Sequence, residues 1–372
     1  MASANQRGSS TLNLGKSLAG KRILVTGHTG FKGSWLAIWL KSLGAQVSGI
    51  SLDPATSPSN YEASGVGDLL THDMRVDIRR YHDLLHAVEL VQPEVIFHLA
   101  AQPIVALGVD NPYDTFNTNI MGTVALLEAV RSRKRPCVVV VVTSDKCYVN
   151  KEIESGYTET DPLGGSEPYG SSKAGAEIVV NAYRDTYFTE GVPGYVPVHL
   201  ASARAGNVIG GGDWSPHRIV PDIVRSLVAD KPVGLRSPDA VRPWQHVLEP
   251  LHGYILLAEK MMSSSTPEKF AQAWNFGPPP TELVSVRQLV EMAIKIWGKG
   301  SWEPTDNPYS KHEKGLLLLD SAKATEALGW SLRWKFAQTI ERTIGWYRAY
   351  GELLDQKNVL SLCEGDLADY IG

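Results

Sequence analysis

The chain has 372 residues with a hydrophobic fraction of 43%, enough for two domains or one large α/β unit and too apolar for a disordered protein. Its 36 Lys and Arg against 40 Asp and Glu give a formal net charge of −4, which argues against a nucleic-acid partner held by phosphate neutralisation. Cys137, Cys147 and Cys363 are too few for a disulfide framework or a structural zinc site, and no apolar run approaches the ~20 residues of a membrane span, so no membrane and no metal are expected and a cytoplasmic setting is.

Residues 1–20 are polar and small, without the apolar stretch of a signal peptide, and read as a disordered leader. From Lys21 the pattern changes. Ile23-Leu24-Val25-Thr26 predicts a strand, Trp35 to Leu43 a helix and Gln46 to Leu52 a second strand. Arg75-Val76-Asp77, Val95 to Leu99 and Cys137 to Thr143 predict three more, separated by helical patterns at Leu84 to Val91 and Asn119 to Ser132. Continuous apolar strands alternating with helices imply an α/β fold whose parallel sheet is covered on both faces. Past Ala201 the alternation breaks up, with loops at Gly210 to Trp214 and Pro278-Pro279-Pro280. Helical patterns follow at Ile219 to Ala229, Val286 to Trp297, Ser321 to Leu328 and Ala337 to Arg348. The expected organisation is a Rossmann-type domain over 21–200, with a returning segment near 241–275. A smaller mixed C-terminal substrate-binding lobe takes 201–240 and 276–372.

Gly27-His28-Thr29-Gly30-Phe31-Lys32-Gly33 joins the first strand to the first helix. Such a turn brings backbone N–H groups to a pyrophosphate at a helix N-terminus, and its glycines remove the Cβ atoms that would block the approach. Asp53, 20 residues after Gly33, is placed to accept hydrogen bonds from the adenosine ribose and to repel a 2′-phosphate. Asp77 and Ala100-Ala101 close the third and fourth strands, leaving room beside adenine and nicotinamide. Gly27, Thr29, Gly30, Phe31, Lys32, Gly33, Asp53, Asp77, Ala100 and Ala101 are therefore the candidate cofactor contacts, and NAD is favoured over NADP.

Tyr169-Gly170-Ser171-Ser172-Lys173 opens the next helical stretch. Residues four apart share a helix face, so Lys173 can bring its ammonium towards the Tyr169 hydroxyl, lower its pKa and make it a base for an alcohol proton. Both residues would also touch the cofactor. Thr143-Ser144-Asp145-Lys146 closes the fifth strand at the carboxyl edge, where open parallel sheets bind ligands. Ser144 is placed to bond a substrate hydroxyl beside Tyr169, and Asp145 and Lys146 are an adjacent acid and base candidate.

The glycine loop, the Ser144/Tyr169/Lys173 set and the Arg204 to Trp214 segment resemble the extended short-chain dehydrogenase/reductases that modify nucleotide sugars. More narrowly, Gly27 to Leu36, Thr143 to Lys146, Arg204 to Trp214 and Arg242-Pro243-Trp244-Gln245-His246-Val247 are similar to the CDP-glucose 4,6-dehydratases. The resemblance implies a hydro-lyase of deoxysugar biosynthesis with NAD as cofactor, acting on CDP-D-glucose. Tyr169 would take the 4-hydroxyl proton as C4 is oxidised. Asp145 would protonate the departing 6-hydroxyl, and Lys146 would serve the C5 step as base or charge stabiliser. The hydride would then return to C6, giving CDP-4-keto-6-deoxy-D-glucose. In the second lobe Asn207, Arg242 and Asn275 are candidates for the diphosphate and ribose, and the relatives imply a homodimer or a dimer of dimers. A different nucleotide-sugar 4,6-dehydratase, a 4-epimerase and a non-catalytic NAD-binding scaffold are the competing readings. Asp145-Lys146 counts against an epimerase, which needs no acid–base pair at C5 and C6, and the intact Ser144, Tyr169 and Lys173 count against a scaffold.

Overall fold

The computed structural model describes residues 14–306, 316–352 and 359–372. Its sheet contains β1 (Arg22–Thr26), β2 (Gln46–Ser51), β3 (His72–Arg75), β4 (Val95–His98), β5 (Cys137–Val142), β6 (Val198–Arg204) and β7 (Ala273–Asn275). All pair in parallel, in the order β7-β6-β5-β4-β1-β2-β3. The chain winds outward from β1 in one direction and from β4 in the other, which leaves a crevice at the carboxyl edge between them.

The principal helices are α1 (Phe31–Ser42), α2 (Tyr81–Val91), α3 (Gly122–Ser132), α4 (Pro168–Tyr187), α5 (Ile219–Val228) and α6 (Leu248–Ser263). They continue with α7 (Val286–Trp297), α8 (Ala322–Leu328), α9 (Phe336–Glu352) and α10 (Val359–Ile371). Successive strand residues point to opposite faces, and β5 shows the result. Cys137, Val139 and Val141 pack with α2, α3 and α4, whereas Val138, Val140 and Val142 join a larger core shared with α1, α6 and the later helices. Trp35 to Leu40 of α1 are all buried, because this helix is enclosed between the sheet and α6 and α10. A helix apolar all round needs that setting. The mixed lobe contributes short ladders: 208–209 with 245–246 and 233–235 with 302–304 in parallel, and 241–242 with 284–285 antiparallel.

Three expectations are corrected. Residues 14–20 are not a free leader: Leu18 is wholly buried, and Ser17 donates to Glu259 of α6 at 3.1 Å; residues 1–13 lie outside the described part. The third strand stops at Arg75, because its partner β2 ends at Ser51 and the register pairs Ser51 with Arg75. Asp77 therefore sits in the loop beyond. The sheet also runs past residue 200, with β6 reaching Arg204. Among the described residues no helix is long and apolar enough to cross a membrane, and no cluster of three or more His, Cys, Asp or Glu could hold a metal.

Candidate active site

The glycine loop lies at the crevice. A Cβ on Gly33 would fall 2.1 Å from the Gly27 carbonyl oxygen, so the loop closes on itself only with glycine there. Gly30 caps α1 without a side-chain bond, and the first turn of α1 holds no acidic residue. Its backbone N–H groups and the positive end of its dipole are thus left for an anion, which fits the pyrophosphate of NAD. Gly27 packs against Ala100, whose amide donates to Thr26 Oγ1 at 3.2 Å. Ala101 follows in the same half-buried segment. Thr29 braces the loop, its hydroxyl bonded to Ser51 Oγ and donating to the Leu52 carbonyl. Phe31 points to Gly210 of the Gly210 to Trp214 segment.

At the adenosine end Asp53 is exposed, and its Oδ1 accepts from Arg75 Nε at 2.9 Å. Arg75 also bonds Asp73, which receives the buried ring of His28 at 2.6 Å. Asp77 is folded back: its carboxylate accepts from the amide and the Nε of Arg79, and these bonds hold it below the usual carboxylate range.

The chemistry converges where β5 ends. Ser144 caps a short turn at Asp145–Cys147, and its hydroxyl donates to Asp145 Oδ1 at 2.8 Å. The same hydroxyl faces the Tyr169 phenol and lowers its pKa. One serine thus links the candidate oxidising base to the candidate acid. No described residue pairs with the Lys146 ammonium, which is half-buried. Tyr169 stands in the first turn of α4, capped by Glu167, whose carboxylate accepts from the amides of Tyr169 (2.7 Å) and Gly170 (2.9 Å). Pro168 at the first helical position fits this start.

Electrostatics revise one expectation. The Tyr169 phenol is raised to about 12, chiefly by burial with Asp145 adding to the rise, even though Ser144 and Arg218 lower it. The Lys173 ammonium donates to the Val142 carbonyl at 3.3 Å and is not among the leading influences on the phenol. Burial lowers Lys173 to about 8 and Lys32 to about 7, the latter helped by the charges of Arg218 and Lys173. The cofactor crevice thus carries cations that readily lose their protons.

In the second lobe Asn207 and Arg242 are half-buried, and Arg242 Nη1 bonds the Val241 carbonyl. Asn275 is corrected. It is fully buried, its Oδ1 accepts from Tyr148 and its Nδ2 donates to the carbonyls of Tyr157 and Asp320, so it braces the fold and does not face a substrate. His98 and His246 are also fully enclosed, and burial lowers both to about 3.

Two residues at the site carry no sequence-based expectation. Arg218 precedes α5, bonds Asp213 at 2.9 Å and faces both Tyr169 and Lys32. It lies four residues beyond the Gly210 to Trp214 stretch, at a strong cue, the start of a helix. Glu177 lies one turn beyond Lys173 on the same face of α4. It accepts from Thr143, from Ser202 at 2.7 Å and from Arg204 at 2.7 Å. The four-residue spacing that singles out Tyr169 and Lys173 extends to it.

Comparison with known proteins agrees with this geometry. A family model described as GDP-mannose 4,6 dehydratase matches residues 24–343. CDP-glucose 4,6-dehydratase of Salmonella typhimurium is 43% identical over 352 residues, covering 95% of this chain and 96% of the relative. Among solved structures, epimerase Mth375 of Methanothermobacter thermautotrophicus superposes with a TM-score of 0.78 at 21% identity, covering 93% of this chain and 97% of that one. DesIV of Streptomyces venezuelae, a dTDP-glucose 4,6-dehydratase with NAD and TYD bound, has a TM-score of 0.74 at 24% identity, with coverages of 90% and 99%. At those identities the two structures establish the shared fold.

Proposed function

The chain belongs to the GDP-mannose 4,6 dehydratase family, and on that premise we propose that it is a hydro-lyase converting CDP-D-glucose into CDP-4-keto-6-deoxy-D-glucose. The 43% identity to a CDP-glucose 4,6-dehydratase across nearly the whole chain supports the cytidine nucleotide. NAD, held by Gly27 to Gly33 and the N-terminus of α1, supplies the hydride acceptor and donor. Lys32, Asp53, Ala100, Ala101 and Lys173 line its path.

The chain's own residues move the protons. Tyr169 takes the proton of the 4-hydroxyl while Ser144 holds the oxygen. A ketone at C4 acidifies the C5–H bond, and Lys146 in its neutral form takes that proton. Asp145 gives a proton to the 6-hydroxyl, which leaves as water, and Lys146 later returns its proton to C5. Arg242 offers a planar fork suited to the diphosphate. The observation that carries this reading is the Ser144 hydroxyl, which donates to the Asp145 carboxylate and faces the Tyr169 phenol. Oxidation and elimination can then act on neighbouring carbons of one bound sugar. Exposed apolar side chains just before α3 and on α4, among them Tyr113, Met121 and Ile178, support assembly as a homodimer or dimer of dimers. Three free, buried cysteines accord with a cytoplasmic protein.

The test uses CDP-glucose deuterated at C4. A dehydratase yields a product lighter by one water that carries the deuterium at C6. Label retained at C4 with no loss of water would make the protein an epimerase and end this reading.

A further inference from the structure

The Asp145 carboxylate occupies the space where a side chain at residue 206 would begin. A Cβ built on Gly206 falls 1.9 Å from Asp145 Oδ2 and 2.2 Å from its Cγ, far inside van der Waals contact. Asp145 is held on its other oxygen: Oδ1 accepts from Ser144 Oγ at 2.8 Å and from the Lys146 amide at 2.9 Å. Oδ2 is the oxygen turned towards 205–207.

That segment has no freedom to retreat. Gln245, wholly buried, donates its side-chain amide to the Gly206 carbonyl at 3.1 Å and to the Phe276 carbonyl at 2.9 Å. Its backbone N–H donates to the Asn207 carbonyl at 3.2 Å. Asn207 has φ +50°, so the chain turns sharply just past Gly206, in a conformation asparagine tolerates. On the other side Arg204 is tied to Glu177. Gly206 itself does not have a positive φ. Its backbone would accept alanine, and what forbids a side chain is the carboxylate.

We propose that Gly206, held by Gln245, is a positioning residue for the dehydration step: its bare Cα lets Asp145 Oδ2 take the direction from which it protonates the leaving 6-oxygen. The proposal rests on the assignment of Asp145 as that donor. In the step, the O–H bond of protonated Asp145 breaks and its proton goes to the 6-oxygen. The C6–O bond breaks with its electron pair leaving on water. The C5–H electrons form the C5=C6 bond, and the C5 proton goes to Lys146. Misplacing a reacting group by about 1 Å can cost on the order of 10²-fold in rate.

The group in the way is a short side chain, so Gly206→Ala should fold with Asp145 pushed off Ser144. In an acid-quenched single turnover of the NAD-loaded protein with CDP-glucose, the 4-keto-glucose nucleotide should form at close to the parent rate. Water loss should slow by about 10²-fold. Repeating Gly206→Ala in an Asp145→Ser background should give no further fall in water loss or melting temperature, because the clash is gone. Equal falls in both backgrounds would overturn the proposal. So would unimpaired dehydration by Gly206→Ala, or failure of both Gly206→Ala proteins to fold, which would place the strain in the backbone. Native-rate dehydration by Asp145→Asn alone would instead remove the donor role on which the proposal stands.

Discussion

A phenol held at about 12 by burial, with Arg218 already facing it, is a poor base at neutral pH, so each positive charge beside it counts. The sequence offers Lys173 for that task by helix spacing, but the folded chain turns Lys173 to the Val142 carbonyl and brings up Arg218 from outside the motif. Arg218 lowers the Tyr169 pKa, so its loss raises that pKa and leaves less phenolate at any given pH. For Arg218→Gln, which keeps a donor for Asp213, kcat should fall about tenfold at neutral pH, because a phenol about ten times less acidic yields about a tenth of the phenolate. Its rise with pH should move to more alkaline values, and Arg218→Lys should restore part of the difference. The full pH profile of kcat checks this. A uniform drop at every pH, with an unmoved profile, would mean that Arg218 only supports the loop. Tyr169→Phe supplies the baseline without the base.

At the scale of elements, α4 is the piece that turns sequence spacing into a site. Tyr169, Lys173 and Glu177 lie on one face, and Glu177 clamps α4 to β5 through Thr143 and to β6 through Ser202 and Arg204. Thr143 stands between the Val142 carbonyl that holds Lys173 and the Ser144 hydroxyl that faces Tyr169. Arg204 and Glu177 are both essentially unexposed, and the guanidinium also donates to Tyr148. Breaking such a pair leaves a buried charge alone, which costs about 3–5 kcal/mol. Glu177→Gln should therefore lower stability by that order in denaturant unfolding. Adding Arg204→Met should recover most of it, since the orphaned charge is then removed. An additive double mutant would show that the two residues do not depend on each other. The first half of α4 is legible in sequence because Tyr-x-x-x-Lys is a local spacing. Glu177 is not, because its partners come from strands whose adjacency is decided by the sheet. The same reason explains β7: three residues, Ala273-Trp274-Asn275, carry no periodicity of their own and become a strand only beside β6. β1, β4 and β5 are readable because near-continuous apolar, largely β-branched runs mark strands covered on both faces. Asn275 misleads for the converse reason, since a polar residue near a predicted site can be wholly used in holding the fold together.

Over the whole molecule, the C-terminal helix closes the larger core and brings buried charge with it. Tyr370 of α10 donates to Glu249 of α6 at 2.8 Å and packs against Trp39 of α1 and Trp334. Glu249 also accepts from the amides of Arg333 and Trp334. Burial nevertheless raises Glu249 to about 7, and it raises Asp366 of α10, beside Arg342, to about 7 as well. Both carboxyls bind protons more tightly folded than unfolded. Their contribution to stability is complete below about pH 4 and is lost as the pH rises through about 7. His98, His246 and His252 act in the opposite direction. Burial lowers each to about 3, so acidification below about 6.5 favours the unfolded chain, which takes up the protons. The two sets oppose each other between about pH 4 and pH 6.5, so the melting temperature should fall most steeply below about pH 4, where only the histidines act. Glu249→Gln isolates one arm, because glutamine keeps the neutral form at every pH. Relative to the parent it should gain on the order of 1–3 kcal/mol between pH 5 and pH 8. Adding Asp366→Asn should extend that gain. Parallel melting curves for parent and variant across this range would show that Glu249 is already ionised in the folded protein at pH 5, and that α10 docks on a charged carboxylate.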